Sequence, residues 1–194
     1  MPSKLGFESL RARTTRDTRV RCTDRFPRPY PSLNPHDLSA ESAPSIGPLE
    51  LDSRFVDLYH GTDARHAESI RANGVDTSLQ TYPRDFGHGF YTTRLLSQAK
   101  EWASQYAEPA VLHFRVEQSQ LDALVSETFT EAGPGLVEFV RRYRLGARDA
   151  PYDTVEGPIM VHPKHFLAGA PPVWSGNQVA FFNETGPLLN SALL

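Results

Sequence analysis

The chain has 194 residues, of which 39% are hydrophobic and 22% charged, and its formal net charge is −3. This length is sufficient for one well-buried domain with a further segment attached. The sequence has neither a long apolar run nor the apolar stretch of a secretory signal near its start, so we expect no membrane association. Cys22 is the only cysteine, which excludes an internal disulfide and a thiolate metal site.

Residues 1–50 differ in composition from the rest of the chain. They contain seven of the sixteen prolines, and residues 1–30 carry eight Lys or Arg against three acids. Such a segment buries too little apolar surface to offset chain entropy, so we predict a disordered or loosely packed basic leader. We assign residues 51–194 to one folded domain. Because this domain is acidic, we do not expect nucleic acid as its partner.

From residue 55 onward, apolar periodicity predicts an α+β fold. A strand at 55–59 leads to a helix at 63–72, and Gly74 follows as a helix stop. The other predicted elements are a strand at 89–93, a helix at 95–107, a strand at 110–116, a helix with Leu136, Phe139, Val140 and Tyr143 on one face, and strands at 152–161 and 177–183. Cations stabilise the end of a helix dipole, so we expect a solvated face for Arg141, Arg142 and Arg144.

Two short segments carry the most specific pattern in the sequence. The first is His60-Gly61-Thr62, and the second runs Asp85-Phe86-Gly87-His88-Gly89-Phe90-Tyr91-Thr92-Thr93. Together they resemble the NAD-binding signature of ADP-ribosyltransferases of the diphtheria-toxin and poly(ADP-ribose) polymerase type. In that family a strand ending His-Gly-Ser/Thr is followed by Phe-Gly-x-Gly, an apolar residue and Tyr. The resemblance implies an α+β fold with a split, two-sheet β core and short flanking helices.

The same resemblance implies how NAD is held. His60 would bond a ribose hydroxyl, the backbone of Gly61 would pair with the carboxamide, and Tyr91 would stack on the nicotinamide ring. Glycine at such positions lets backbone and ligand come close. The remaining members of the two segments that we assign to NAD binding are Thr62, Phe86, Gly87 and Gly89.

Two further residues extend the predicted NAD site. Ser97 to Ala103 corresponds to the family helix that carries a second aromatic residue against nicotinamide, and Trp102 occupies that position. An apolar stripe at helical spacing offers the alternative that Trp102 belongs to the core. Arg84, in the segment that corresponds to the loop over the adenosine side of NAD, is the candidate for a phosphate contact.

The segment Asn177-Gln178-Val179-Ala180-Phe181-Phe182 resembles the family strand that carries the catalytic glutamate. Gln178 stands in place of that glutamate, so the implied triad is His60, Tyr91 and Gln178. An amide can bond the ribose hydroxyl but lacks the charge that stabilises a developing cation. We therefore expect Gln178→Glu to keep or increase NAD hydrolysis. Glu184 and Glu156 are the alternative carboxylates for this catalytic position.

These residues predict a mono-ADP-ribosyltransferase that transfers ADP-ribose from NAD to a protein side chain. NAD is the substrate, and no metal is expected because the two histidines of His162-Pro163-Lys164-His165 lack a third ligand. We expect a monomeric bacterial effector or toxin, present in the bacterial cytoplasm before secretion and in the host cytoplasm afterwards. Host ubiquitin is the first candidate acceptor. An NAD glycohydrolase and a pseudoenzyme that binds NAD or ADP-ribose remain the alternatives.

Overall fold

The computed structural model describes residues 54–80, 82–148 and 151–194. The predicted leader at 1–50 and the predicted domain start at 51 lie outside the described residues. The fold is α+β, as predicted. In chain order the elements are β1 (Phe55–Asp63), α1 (Ala64–Asn73), β2 (Phe90–Thr92), α2 (Leu96–Ala103), β3 (Pro109–Glu117), α3 (Gln118–Asp122), β4 (Ser126–Thr128), α4 (Pro134–Arg144), β5 (Thr154–Val161), α5 (Pro163–Leu167), β6 (Val173–Phe181) and α6 (Gly186–Ala192).

The strands form two sheets. β1 and β3 pair antiparallel along their whole length, with His60 opposite Leu112. The second sheet has the strand order β2-β6-β5-β4, with Tyr91 opposite Ala180 and Gly157 opposite Gln178. Among the described strands of this sheet, β4 and β5 pair parallel and the other neighbours pair antiparallel.

One bridge joins β1 to Thr93, the residue directly after β2, and so links the two sheets. The Tyr59 amide donates to the Thr93 carbonyl at 2.8 Å, and the Thr93 amide donates back to the Tyr59 carbonyl at 2.9 Å. β1 otherwise pairs with β3 and β2 pairs with β6. The predicted site residues His60 and Tyr91 therefore lie where the two sheets meet.

Two apolar clusters lie on opposite faces of the four-stranded sheet. Side chains alternate between the faces of a strand, so Val179 and Phe181 of β6 point into the first cluster, and Ala180 points into the second. The first cluster joins β6 to Leu58 of β1, to β3 and to α6. The second joins it to α4 and α5. Gln178 has the parity of Ala180 and Tyr91, which places these three residues on the second face.

Helix α1 follows directly from its sequence signals. Asp63 caps its start, since one carboxylate oxygen accepts a hydrogen bond from the His66 amide at 2.9 Å. Gly74 ends it with φ of 83°, a backbone conformation that suits glycine. Ala67 is its buried residue. The predicted helix at 63–72 is confirmed.

Helix α2 is shorter than predicted, and only part of its predicted apolar stripe is buried. Its buried residues are Ala99 and Ala103, whereas Leu95 and Tyr106 are 48% and 40% exposed. The small side chains allow α2 to lie directly on the backbone of β1. The predicted apolar stripe of Leu95, Ala99, Trp102 and Tyr106 is thus buried at Ala99, half-buried at Trp102 and exposed at its two ends, which lie outside α2.

Several short elements were absent from the sequence prediction. These are α3, β4, α5 and α6, all of seven residues or fewer. Elements of this length have too few residues to show a period. Within the described residues, no helix has the length and apolar character needed to span a membrane.

Candidate functional site

His60 is anchored by its own site partner. Its Nδ1 lies 2.7 Å from the Tyr91 carbonyl oxygen, so Nδ1 carries the proton and donates it. The imidazole ring also packs on Phe90 with ring centroids 4.4 Å apart. Burial lowers the pKa of His60 from its ordinary value of 6.5, although the bond to the Tyr91 carbonyl opposes this. The imidazole is therefore neutral at pH 7, and its Nε2 is an acceptor.

The hydroxyl of Tyr91 is committed to the turn that precedes β2. It donates to the Gly87 carbonyl at 2.9 Å and accepts from the Phe86 amide at 3.1 Å. Burial, and next the charge of Asp85, raise the pKa of Tyr91, so the phenol stays protonated. Because the hydroxyl is used in this way, the ring is the part of Tyr91 that can meet a ligand.

Gln178 is buried and held by a carboxylate. Its Nε2 donates to Asp85 Oδ2 at 2.7 Å and to the Pro158 carbonyl at 3.3 Å, and the residue is 7% exposed. An ionised carboxylate only accepts hydrogen bonds, so the amide nitrogen must face Asp85. The glutamine at the predicted catalytic position is therefore hydrogen-bonded to a buried aspartate.

Asp85 is in turn paired with Arg144. Arg144 Nε donates to Asp85 Oδ1 at 2.8 Å, and its Nη2 lies 2.7 Å from the same oxygen. The Met160 amide donates to Asp85 Oδ2 at 2.8 Å. The side chain of Arg144 is only 14% exposed, and that of Asp85 is 1% exposed. The prediction of a solvated face is thus wrong for Arg144, which binds a buried carboxylate across the fold.

A bulge in β6 shapes the strand beside Gln178. The register slips near Gly176, whose φ is 54°. Gln98 of α2 replaces the missing sheet partner, since its Oε1 accepts from the Asn177 amide at 3.0 Å and its Nε2 donates to the Asn177 carbonyl at 2.7 Å. Asn177 Oδ1 is buried with no hydrogen-bond partner within the described residues. Helix α2 is thereby fixed to the strand that carries Gln178.

Trp102 and Arg84 lie against each other. The Arg84 guanidinium carbon is 5.7 Å from the centre of the Trp102 ring, a cation–π distance. Trp102 is half-buried on α2, and Arg84 precedes Asp85 in the turn before β2. The structure therefore brings together the two residues predicted for the nicotinamide and phosphate ends of NAD.

Three predicted NAD-binding glycines have packing roles. A side chain at Gly61 would overlap the backbone of Ala99, because α2 lies directly on this position. A Cβ at Gly89 would lie 2.6 Å from the Phe182 ring. Gly87 has φ of 103°, which few other residues adopt. The fold alone thus explains why these positions are glycine.

Two other predicted NAD-binding residues lie inside the protein. Phe86 has no exposed surface and packs against Tyr91, Phe129 and Phe139. Thr62 is 5% exposed in β1. Their positions give them structural roles beneath the residues that could touch a ligand.

The alternative carboxylates lie elsewhere. Glu156 pairs with Arg94 through two bonds of 2.8 Å, and it is opposite Val179 on the face away from Gln178. Glu184 is exposed in the turn after β6, next to Asn183 with its φ of 52°. Among the described residues, neither carboxylate makes a hydrogen bond or ion pair with His60 or Tyr91.

The cavity and the histidine pair of the described residues lie apart from the candidate site. A cavity of about 370 Å³ is lined by Arg94, Glu156 and residues of the α3–β4 segment, on the opposite face of the sheet from Gln178. The rings of His162 and His165 are 5.5 Å apart at the start of α5. Over the described ranges, no group of three or more His, Cys, Asp or Glu residues could hold a metal ion.

Sequence reasoning missed Asp85, Arg144 and Gln98. Asp85 lies inside the matched segment but outside its pattern of glycines and aromatics. In the sequence, Arg144 is one of three arginines near the end of a helix, and nothing distinguishes it from the other two. Gln98 is one of several polar residues on a helix surface. No spacing in the sequence relates any of these residues to Gln178.

A protein-family model matches this chain. Residues 56–161, more than half of the chain, match a family described as "Protein of unknown function (DUF3990)". The matched range includes His60, Asp85, Tyr91 and Arg144 but ends before Gln178. No curated protein matches the chain.

Proposed function

We propose that this chain, which belongs to the DUF3990 family of unknown function, is a mono-ADP-ribosyltransferase that splits NAD and transfers ADP-ribose to a protein side chain. The observation that carries the proposal is the bond of 2.7 Å between His60 Nδ1 and the Tyr91 carbonyl at the junction of the two sheets. It joins the two sequence segments that resemble the NAD-binding signature. The proposal includes the ADP-ribosyltransferase fold.

The chemistry available at this junction suits a ribosyl transfer. Neutral His60 offers Nε2 as an acceptor for a ribose hydroxyl, since Nδ1 is already used. Tyr91 offers a ring whose hydroxyl is fixed, and Trp102 offers a second ring on α2. Stacking of the nicotinamide and binding of the ribose would hold the glycosidic bond in a reactive orientation.

Gln178 supports transfer or hydrolysis more than polymer growth. Its Oε1 can accept a ribose hydroxyl, but an amide does not supply a full negative charge to an oxocarbenium-like transition state. One preorganised electrostatic group is worth about 3–4 kcal/mol of barrier. We therefore expect a slower enzyme than one with glutamate at this position.

NAD needs room beside Trp102, where Arg84 now lies. We propose that Arg84 leaves the ring face when NAD binds and meets the pyrophosphate, because a guanidinium bonds phosphate oxygens in pairs. The nicotinamide then takes the ring face. Ubiquitin is the first acceptor to test. Delivery into a host cell is likewise a proposal, which rests on the composition of residues 1–50.

A labelling experiment tests the function directly. The full chain is incubated with biotinylated NAD and host-cell lysate, and labelled proteins are identified by mass spectrometry. Purified ubiquitin is tested in parallel. Labelling that requires the intact chain and is lost in His60→Ala supports transfer, and the absence of both labelling and nicotinamide release contradicts it.

The same assay separates the alternatives. Release of nicotinamide from NAD without any acceptor identifies a glycohydrolase. Binding of NAD without release, measured by calorimetry, identifies the pseudoenzyme. Glu127→Gln, in β4 at the opposite edge of the four-stranded sheet from β2, serves as the control for folding and yield.

A further inference from the structure

The side chain of Gln178 has a defined orientation in the fold. Both hydrogens of its amide nitrogen are used, one by Asp85 Oδ2 at 2.7 Å and one by the Pro158 carbonyl at 3.3 Å. A carboxylate and a carbonyl are both acceptors, so neither can face the amide oxygen. Oε1 is therefore the polar atom of Gln178 that remains for a ligand.

Asp85 can impose this orientation because it is itself fixed. Its Oδ1 accepts two contacts from Arg144, at 2.8 and 2.7 Å, and its Oδ2 accepts from the Met160 amide at 2.8 Å. A carboxylate that is 1% exposed needs hydrogen-bond partners of this kind to offset its loss of water. Arg144 and the Met160 amide both donate to Asp85, so the carboxylate faces Gln178 as an acceptor.

We propose that Asp85 is a positioning residue of the NAD site, which acts through Gln178 by presenting its Oε1 to a ribose hydroxyl. The inference rests on the proposed function. It assigns no electrostatic role to Asp85, since the charge of Arg144 balances its own. Asp85 and Arg144 thereby allow a glutamine to make the hydroxyl bond that a glutamate makes in the resembling family.

The arrangement also reverses an expectation from the sequence. Gln178→Glu was expected to keep or increase NAD hydrolysis, but it would place a second carboxylate within hydrogen-bond distance of Asp85. Two such groups cannot both be ionised at this separation. We now expect Gln178→Glu to lose stability and activity at pH 8.

A double-mutant cycle tests the inference. The four proteins are the wild type, Asp85→Asn, Gln178→Ala and the double variant, each assayed for kcat of nicotinamide release in the presence of acceptor and for the Kd of NAD. An asparagine at 85 offers an amide hydrogen to Gln178 and turns its amide around. We expect kcat of Asp85→Asn to fall at least about tenfold while the Kd of NAD changes less than about threefold.

The decisive comparison uses the background that lacks the glutamine side chain. If Asp85 acts through Gln178, then Asp85→Asn lowers kcat by less than about twofold when Gln178 is already alanine. Losses that multiply in the double variant overturn the inference, and so does full kcat in Asp85→Asn. A wild type that neither binds NAD nor releases nicotinamide instead overturns the proposed function.

A second variant, Gln178→Glu, tests the inference if Asp85→Asn does not fold. The melting temperature of Gln178→Glu is measured from pH 8 to pH 5 against the wild type. Carboxyls that share a proton have a raised pKa in the folded state, so the deficit in melting temperature should shrink as the pH falls. Gln118→Glu is the matched control, because Gln118 Nε2 donates to exposed Asp122 at 2.6 Å. Equal behaviour of the two variants contradicts the inference.

Discussion

His60 Nδ1 donates to the main-chain carbonyl of Tyr91 at 2.7 Å, which joins two strands that belong to different sheets. The bond fixes the tautomer of the imidazole and turns Nε2 into an acceptor. It uses the backbone of Tyr91, so the phenol ring remains independent of His60. The two side chains can therefore be altered separately.

Acid should weaken the protein through His60. Burial lowers its pKa from 6.5, so the unfolded chain takes up a proton before the folded one does. The stability contributed by the neutral imidazole is present above about pH 6.5 and is lost as the pH falls through the lowered pKa. Chemical denaturation between pH 7.5 and 5 should show a smaller loss in His60→Gln than in the wild type. His165→Gln, at an exposed histidine, is the control, and equal slopes for wild type and His60→Gln would falsify this assignment.

Tyr91→Phe should separate the hydroxyl from the ring. The variant leaves the Phe86 amide without its partner, whereas the Gly87 carbonyl keeps the Arg84 amide at 3.1 Å. An unsatisfied buried group costs about 1–3 kcal/mol. We expect a loss of unfolding free energy in this range and a Kd of NAD within about threefold of the wild type. Tyr91→Ala should lose both stability and NAD binding. A Phe variant that no longer binds NAD would show that the hydroxyl, and not the ring, meets the ligand.

Gly61→Ala should disturb helix α2. The new methyl group overlaps the Ala99 carbonyl, and overpacking of this kind costs about 1–3 kcal/mol. Because α2 carries Trp102, NAD binding should weaken in parallel. Gly135→Ala is the control, since nothing lies within 4 Å of that position, and urea denaturation of both variants gives the comparison. Wild-type stability of Gly61→Ala would show that β1 and α2 are not in this close contact.

Trp102 should report NAD binding by fluorescence. Stacking of nicotinamide on its ring is expected to quench the emission and to displace Arg84 from the ring face. Trp102→Phe keeps an aromatic surface and should retain most of the affinity, whereas Trp102→Ala should raise the Kd of NAD about tenfold, or ~1.4 kcal/mol. An unchanged Kd in Trp102→Ala would place the ring in a structural role alone.

Glu156→Gln tests the choice of catalytic corner. Glu156 pairs with Arg94 across a partly exposed surface, so its loss should cost at most about 1 kcal/mol of stability. We expect nicotinamide release to stay within about twofold of the wild type, while Gln178→Ala loses at least about tenfold. The reverse order of effects would assign the catalytic role to Glu156 instead of Gln178. Glu184→Gln provides a second variant with the same expectation of unchanged release.

The sequence by itself determined the local features of this protein. The α+β class, helix α1 with its Asp63 cap and Gly74 stop, and most strands follow from periodicity and capping, which act over a few residues. The candidate positions His60, Tyr91 and Gln178 followed from a resemblance in short segments. All of these signals lie within continuous stretches of the chain.

Only the tertiary structure decided which side chains meet. Asp85, Arg144 and Gln178 are far apart in sequence, and each alone has an ordinary explanation as a turn, helix-end or strand residue. Sheet pairing and the packing of α4 bring them into one buried hydrogen-bond network. Ion pairs and hydrogen bonds between distant elements require donor–acceptor distances that are correct to within a few tenths of an ångström. No local sequence pattern specifies such distances. The glycines show the same limit, since only the approach of α2 shows that Gly61 is needed for packing.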